Sequence, residues 1–176
     1  MAQETYELGR ASGILADAVG QPGNRRFRIL ARNDYELANL WVEREQLQAM
    51  ALAIQKLLQD VSSLPADYED PDHPPREGPL SFDLRPNLEF QVGQLALGYE
   101  EQRRLFMILA HDVAGEQNAE PAFSCLVNRP QLQAFGQAVF ALIAAGRDRC
   151  PLCGRPIDVG SHDHFRSNGH HKPASI

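Results

Sequence analysis

The octapeptide Val42-Glu43-Arg44-Glu45-Gln46-Leu47-Gln48-Ala49 returns 85 positions further on as Val127-Asn128-Arg129-Pro130-Gln131-Leu132-Gln133-Ala134, with six of eight residues the same. Apolar periodicity accounts for the valine and the leucine. The arginine and the two glutamines are polar positions that an amphipathic pattern leaves free, so the repeat points to duplication and not merely to a shared period. A second match lies upstream, where Arg25-Arg26-Phe27-Arg28-Ile29-Leu30-Ala31 aligns with Arg103-Arg104-Leu105-Phe106-Met107-Ile108-Leu109-Ala110 if one residue of slippage is allowed, Ile29 and Ile108 being 79 apart. The difference between the two spacings falls in a longer hairpin around Gly115 to Ala119. Each copy runs from strand-like sequence into a helical pattern. From about Glu45 to Val61, Leu47, Met50, Ala51, Ile54, Leu57, Leu58 and Val61 recur at i, i+3, i+4, i+7 and occupy one helix face. Near Pro130 to Ala145, Leu132, Phe135, Val139, Leu142 and Ile143 do the same. A one-sided helix needs a sheet to cover, so the expected fold class is α+β: duplicated antiparallel strand-strand-strand-helix units, roughly six to eight strands and two helices in all.

Working outward, residues 5 to 42 alternate and carry the turn Gln21-Pro22-Gly23-Asn24 between two apolar runs, which reads as an antiparallel meander. In the second half, Leu88 to Tyr99, Arg104 to Val113 and Ala122 to Val127 read as strands. Between the halves, residues 62 to 86 collect Pro65, Pro71, Pro74, Pro75, Gly78, Pro79 and Pro86 with Asp67, Glu69, Asp70, Asp72 and His73, an acidic proline-rich surface linker. The expected organisation is a first strand–helix repeat at 1–61, the linker at 62–86, a second repeat at 87–146 and a metal-binding tail at 147–176.

Length and composition agree with this plan. A chain of 176 residues, 43% hydrophobic and 23% charged, buries a real core. Its longest apolar run, Ala138 to Ala145, is far shorter than the roughly 20 residues that span a bilayer. The opening Met1-Ala2-Gln3-Glu4 has no basic cluster followed by an apolar stretch, so no secretory signal is expected and the cytoplasm is the expected compartment. A net charge of −6 argues against a general attraction to nucleic acid or anionic lipid.

The chemistry-bearing stretch is Arg149-Cys150-Pro151-Leu152-Cys153-Gly154-Arg155-Pro156, followed by Ser161-His162-Asp163-His164 and Gly169-His170-His171. Two thiolates separated by two residues close a tight turn around a zinc ion, and Gly154 lets backbone N–H groups turn back toward sulfur. Counting onward gives Cys-x2-Cys-x10-His-x5-His for Cys150, Cys153, His164 and His170, with His162 and His171 able to substitute as ligands. Four of the six histidines fall within residues 162–171. A redox dithiol fits less well, because Gly154 and Pro156 forbid the helix that such a motif opens. A DNA-reading finger fits less well still, since Gly154 to Asp163 offers no basic recognition helix. Cys125, in an apolar strand, reads as a small buried hydrophobe.

This tail resembles the signature of an uncharacterised bacterial family, found chiefly in high-GC Gram-positive bacteria, whose members end in a pattern similar to CPLCGxPxDxxGHxCPRxNGH. Cys150, Cys153, Gly154, Pro156, Asp158, His162, Arg166, Asn168, Gly169 and His170 match. His164 stands where the family has cysteine, which keeps a zinc ligand there and favours His164. The resemblance extends to the Val19-Gly20-Gln21-Pro22-Gly23 turn with Phe27 and Ala31, and to Val92-Gly93 through Leu97-Gly98-Tyr99. It implies no activity.

Three functional classes follow. The first is a non-enzymatic module, stabilised by structural Zn2+, that binds a protein partner. The second is single-stranded nucleic-acid binding on the duplicated sheet through Arg25, Arg26, Arg28, Arg32, Arg103 and Arg104. The third is a zinc-dependent hydrolase, which needs an open coordination position. His111 and Asp112 read as a hydrogen-bonded pair at a strand end, and no phosphate loop or nucleophile elbow is present.

Overall fold

The computed structural model of the protein describes residues 5–21, 24–61, 80–115 and 120–145. Strands β1 (Tyr6–Arg10), β2 (Gly13–Val19), β3 (Arg26–Arg32) and β4 (Leu37–Val42) lead into helix α1 (Arg44–Asp60). Strands β5 (Leu88–Glu100), β6 (Leu105–Asp112) and β7 (Phe123–Val127) lead into α2 (Arg129–Ala145). The class is α+β as expected, with two helices and a sheet of seven strands in the order β1-β7-β6-β5-β4-β3-β2.

The sheet is mixed, which corrects the expectation of purely antiparallel strands. β2-β3-β4 and β5-β6-β7 are antiparallel meanders, but β4 runs parallel to β5 and β1 parallel to β7. A parallel neighbour requires a crossover, and the chain from β4 through α1 to β5 supplies one. The two meanders keep the same register inside. Phe27 faces Val42 and Ile29 faces Leu40, just as Phe106 faces Val127 and Ile108 faces Cys125.

The edge strands β1 and β2 stand at opposite ends of this order, yet only Ala11 and Ser12 separate them in the chain. Two linking residues reach roughly 11 Å at most, so the sheet curls until its edges meet. The ladder crosses the junction: the Ala11 N–H donates to the Leu126 carbonyl of β7 at 2.8 Å, and the Ser12 N–H to the Arg32 carbonyl of β3 at 2.8 Å. β1 and β2 thus act as one bent strand whose first half pairs with β7 and whose second half pairs with β3.

β5 bends in the same manner, pairing with β4 over Leu88–Gln91 and with β6 from Val92 onward, with an irregularity between Val92 and Gln94. Gly93 allows it, since a Cβ there would stand 3.0 Å from the Val113 backbone. β1 carries the corresponding irregularity between Glu7 and Arg10, where Gly9 has a φ of +69°, the left-handed region open to glycine.

One core joins both halves. Ile29, Leu40, Phe106, Ile108 and Phe123 from the strands pack in one cluster with Leu47, Ile54, Leu132 and Val139 from the helices. The helices lie antiparallel: the Arg44 guanidinium, at the start of α1, donates to the Ile143 carbonyl near the end of α2. Arg129, at the start of α2, donates to the Val61 and Leu58 carbonyls at the end of α1, at 2.8 and 3.1 Å. They touch where Gly136 meets Ile54, a Cβ on Gly136 coming within 3.0 Å of Ile54 Cγ2.

Of the expected linker, residues 62–79 lie outside the described residues, while 80–87 is tied down. Leu80 and Phe82 cover Gly13, the Arg32 guanidinium donates to the Ser81 carbonyl, and Asn87 Oδ1 accepts from the Leu37 N–H.

Candidate functional site

The expected metal ligands Cys150, Cys153, His162, His164, His170 and His171 all lie outside the described residues, as do Glu69, Asp70, Asp72 and His73. Among the described residues no group of three or more His, Cys, Asp or Glu side chains is placed to hold a metal ion. None of their helices is long and apolar enough to cross a membrane.

The arginines of the nucleic-acid reading are largely occupied by their own chain. Registers between β2, β3, β4 and β5 align Asp17, Arg28, Trp41 and Gln91 in one row across the sheet. In that row Arg28 donates through Nε and Nη2 to Asp17 Oδ2 at 3.1 and 2.7 Å. Its guanidinium stands 5.8 Å from the Trp41 ring, while that of Arg26 covers the ring at 4.1 Å. The indole N–H donates to Glu89 Oε1 at 2.6 Å, and Asn39 donates to the same oxygen at 3.1 Å. Arg32 is buried and holds the Asn33 and Ser81 carbonyls. Arg25 is half-buried before β3. Arg103 and Arg104 sit in the exposed β5–β6 turn, where Arg103 pairs with Glu100 and Arg104 takes a φ of 54°. The structure thus brings Arg26 and Arg28 together over Trp41 and places Arg103 and Arg104 in a separate turn. Trp41 was absent from the sequence reading because its partnership with Arg26 and Arg28 depends on the β3–β4 register.

His111 and Asp112 end β6, where the Asp112 carboxylate accepts from the Ala114 N–H and shapes the following turn. Cys125 is fully buried, and burial pushes its thiol up to about 12, far from the thiolate needed for nucleophilic or metal chemistry.

The repeated octapeptide occupies the two places where the helices meet the sheet. Gln46 Oε1 accepts from the Glu43 N–H at 2.8 Å, while its Nε2 donates to the Val92 and Gly93 carbonyls at 3.2 and 3.0 Å. Gln131 Oε1 accepts from the Asn128 N–H at 2.9 Å, and its Nε2 donates to the Ala11 carbonyl at 2.9 Å. Each amide therefore completes a helix start, and Gln46 also pins β5 at its irregularity while Gln131 pins the link between β1 and β2. These roles place the octapeptide in the framework.

An open groove lies along the seam of the two helices, with a volume of about 420 Å³. Ala51, Ile54, Gly136 and Phe140 give it an apolar lining, and Phe140 is 39% exposed. Gln55, Gln59, Gln133 and Gln137 add neutral amides that both donate and accept. Sequence periodicity had assigned the helix faces but not the gap left between them.

No curated protein and no solved structure matches the chain. A family model matches residues 6–164, a span that takes in Cys150, Cys153, His162 and His164 and stops short of His170 and His171. With nearly its whole length matched, the chain belongs to the family described as "Protein of unknown function (DUF3090)".

Proposed function

We propose that the protein is a non-enzymatic zinc-binding module that acts through contact with a protein partner. The observation that carries this reading is the spacing Cys150-x2-Cys153-x10-His164-x5-His170, four donors of the kind structural zinc takes, beginning five residues beyond the end of α2. Two thiolates cancel the charge of the ion and two neutral imidazoles complete a tetrahedron, which leaves no position for water or substrate. The tail offers only a few apolar residues, among them Leu152, Ile157, Val159 and Phe165, too few to offset its own ordering entropy, so the metal supplies the folding free energy locally.

We read the two strand-helix halves as copies of one unit. The matched registers and the matched work of Gln46 with Gln131 and of Arg44 with Arg129 support this.

The nucleic-acid reading has one observation in its favour, the Trp41 ring flanked by Arg26 and Arg28. Against it, Arg28 is paired with Asp17 and Arg32 is buried, which lowers the charge available to phosphate. The hydrolase reading requires three protein ligands and a metal-bound water.

Native mass spectrometry before and after a strong chelator tests the proposal. One zinc per chain is expected, lost in Cys150→Ser and Cys153→Ser. Stoichiometric metal-free protein from an anaerobic preparation would sink it. A metal held by three side chains and an exchangeable water would favour hydrolysis.

A further inference from the structure

We propose that the groove between α1 and α2 is the docking site of this chain's own C-terminal segment, residues 146–176, in its zinc-bound form. The inference rests on the zinc reading above and adds where the knuckle sits.

Reach is the first consideration. The segment is the direct continuation of α2, which forms one wall of the groove. Phe140 stands five residues before the end of that helix, roughly 7.5 Å along its axis. The four residues from 146 to 149 can extend roughly 13 Å, so Cys150 and its neighbours reach back beside Phe140 without strain.

Chemistry is the second. A metal knuckle of about 20 residues closes around its ion and has little interior of its own, so Leu152, Ile157, Val159 and Phe165 need apolar surface elsewhere. The groove offers that surface in half-buried Leu58 and exposed Phe140. A segment with Pro151, Pro156, Gly154 and Gly160 cannot pair all its backbone groups in regular structure. The four glutamine amides along the groove both donate and accept, which suits an irregular backbone better than lysines or carboxylates would.

Methyl NMR on the full-length zinc-loaded protein tests this. Chelation should shift the methyl signals of Ala51, Ile54 and Leu58 at any protein concentration. In a second measurement, Phe140→Asp should keep its zinc yet speed amide exchange in residues 150–165 by roughly tenfold or more. Leu52→Asp, on α1 outside the groove, should leave that exchange unchanged. Retained zinc with unmoved groove methyls would overturn the docking while the zinc reading stands. A protein that binds no zinc overturns both. Shifts that appear only as protein concentration rises would assign the groove to a second copy and overturn the proposal.

Discussion

Gln46 and Gln131 show how much a single side chain carries in this fold. Each amide satisfies a helix-start N–H with its oxygen and a backbone carbonyl of the sheet region with its nitrogen, the Gln131 bonds half-buried and the Gln46 bonds to Glu43 and Gly93 exposed. Gln131→Ala should cost about 1–2 kcal/mol by urea titration and Gln46→Ala less, since water can take over its exposed partners, whereas Gln48→Ala, exposed on α1, should cost close to nothing. Leu47 and Leu132, fully buried one residue later, should each cost about 2–5 kcal/mol on truncation to alanine. Cys125 gives a pH signature. Its folded value of about 12 lies above the unfolded 9.0, so the folded state holds the proton longer and stability is lost as pH rises from 9 toward 12. The slope should approach about 1.4 kcal/mol per pH unit for this one group, and Cys125→Ala should remove it. Tyr6, raised to about 12 by burial first and by Glu36 second, adds a loss in the same direction above pH 10.

The helices are held as a pair at both ends. Arg129 donates to two carbonyls of the last α1 turn that have no partner within the helix, and its cation faces the negative end of the α1 dipole. Arg129→Met keeps the length of the side chain and removes the charge and the donors. It should destabilise the protein by about 1–2 kcal/mol and speed amide exchange in the last turn of α1 while leaving the first turn unchanged. Arg44, with one long contact at 3.4 Å to Ile143, should matter less. At the crossing, Gly136→Ala puts a methyl 3.0 Å from Ile54 Cγ2, so Ile54 must shift by a few tenths of an ångström, a packing cost that opposes the better helix propensity of alanine.

Closure of the sheet is a property of the whole molecule, because it joins the first strand to the last. β1 meets β7 through pairing that spans more than a hundred residues of sequence, and the Ala11–Ser12 link carries the ladder from β7 to β3. Ser12→Pro removes the N–H that bonds Arg32 and should open the junction, with a loss of about 3 kcal/mol by urea titration. The shared core of strands and helices from both halves also predicts how the metal affects folding. Its apolar cluster lies within residues 5–145, so the main thermal transition should keep its cooperativity when zinc is chelated. A body that unfolds on chelation would show that the metal is needed for the whole fold.

The sequence by itself determined what depends on short-range pattern. Both helices lie within a residue of the spans read from their apolar spacing, β5, β6 and β7 sit close to the expected strands, and the α+β class followed from one-sided helices beside alternating strands. The repeated octapeptide was legible as well, although its reason was not: Gln46 and Gln131 are explained only by carbonyls that long-range pairing brings to them. Tertiary structure alone decided that β1 and β4 take parallel neighbours and that the sheet edges meet. It also decided that Arg32 is buried and that Trp41 stacks under Arg26. Each of these is a matter of strand order and register, which connect residues far apart in sequence, and local propensity carries no record of which distant strand will supply the partner.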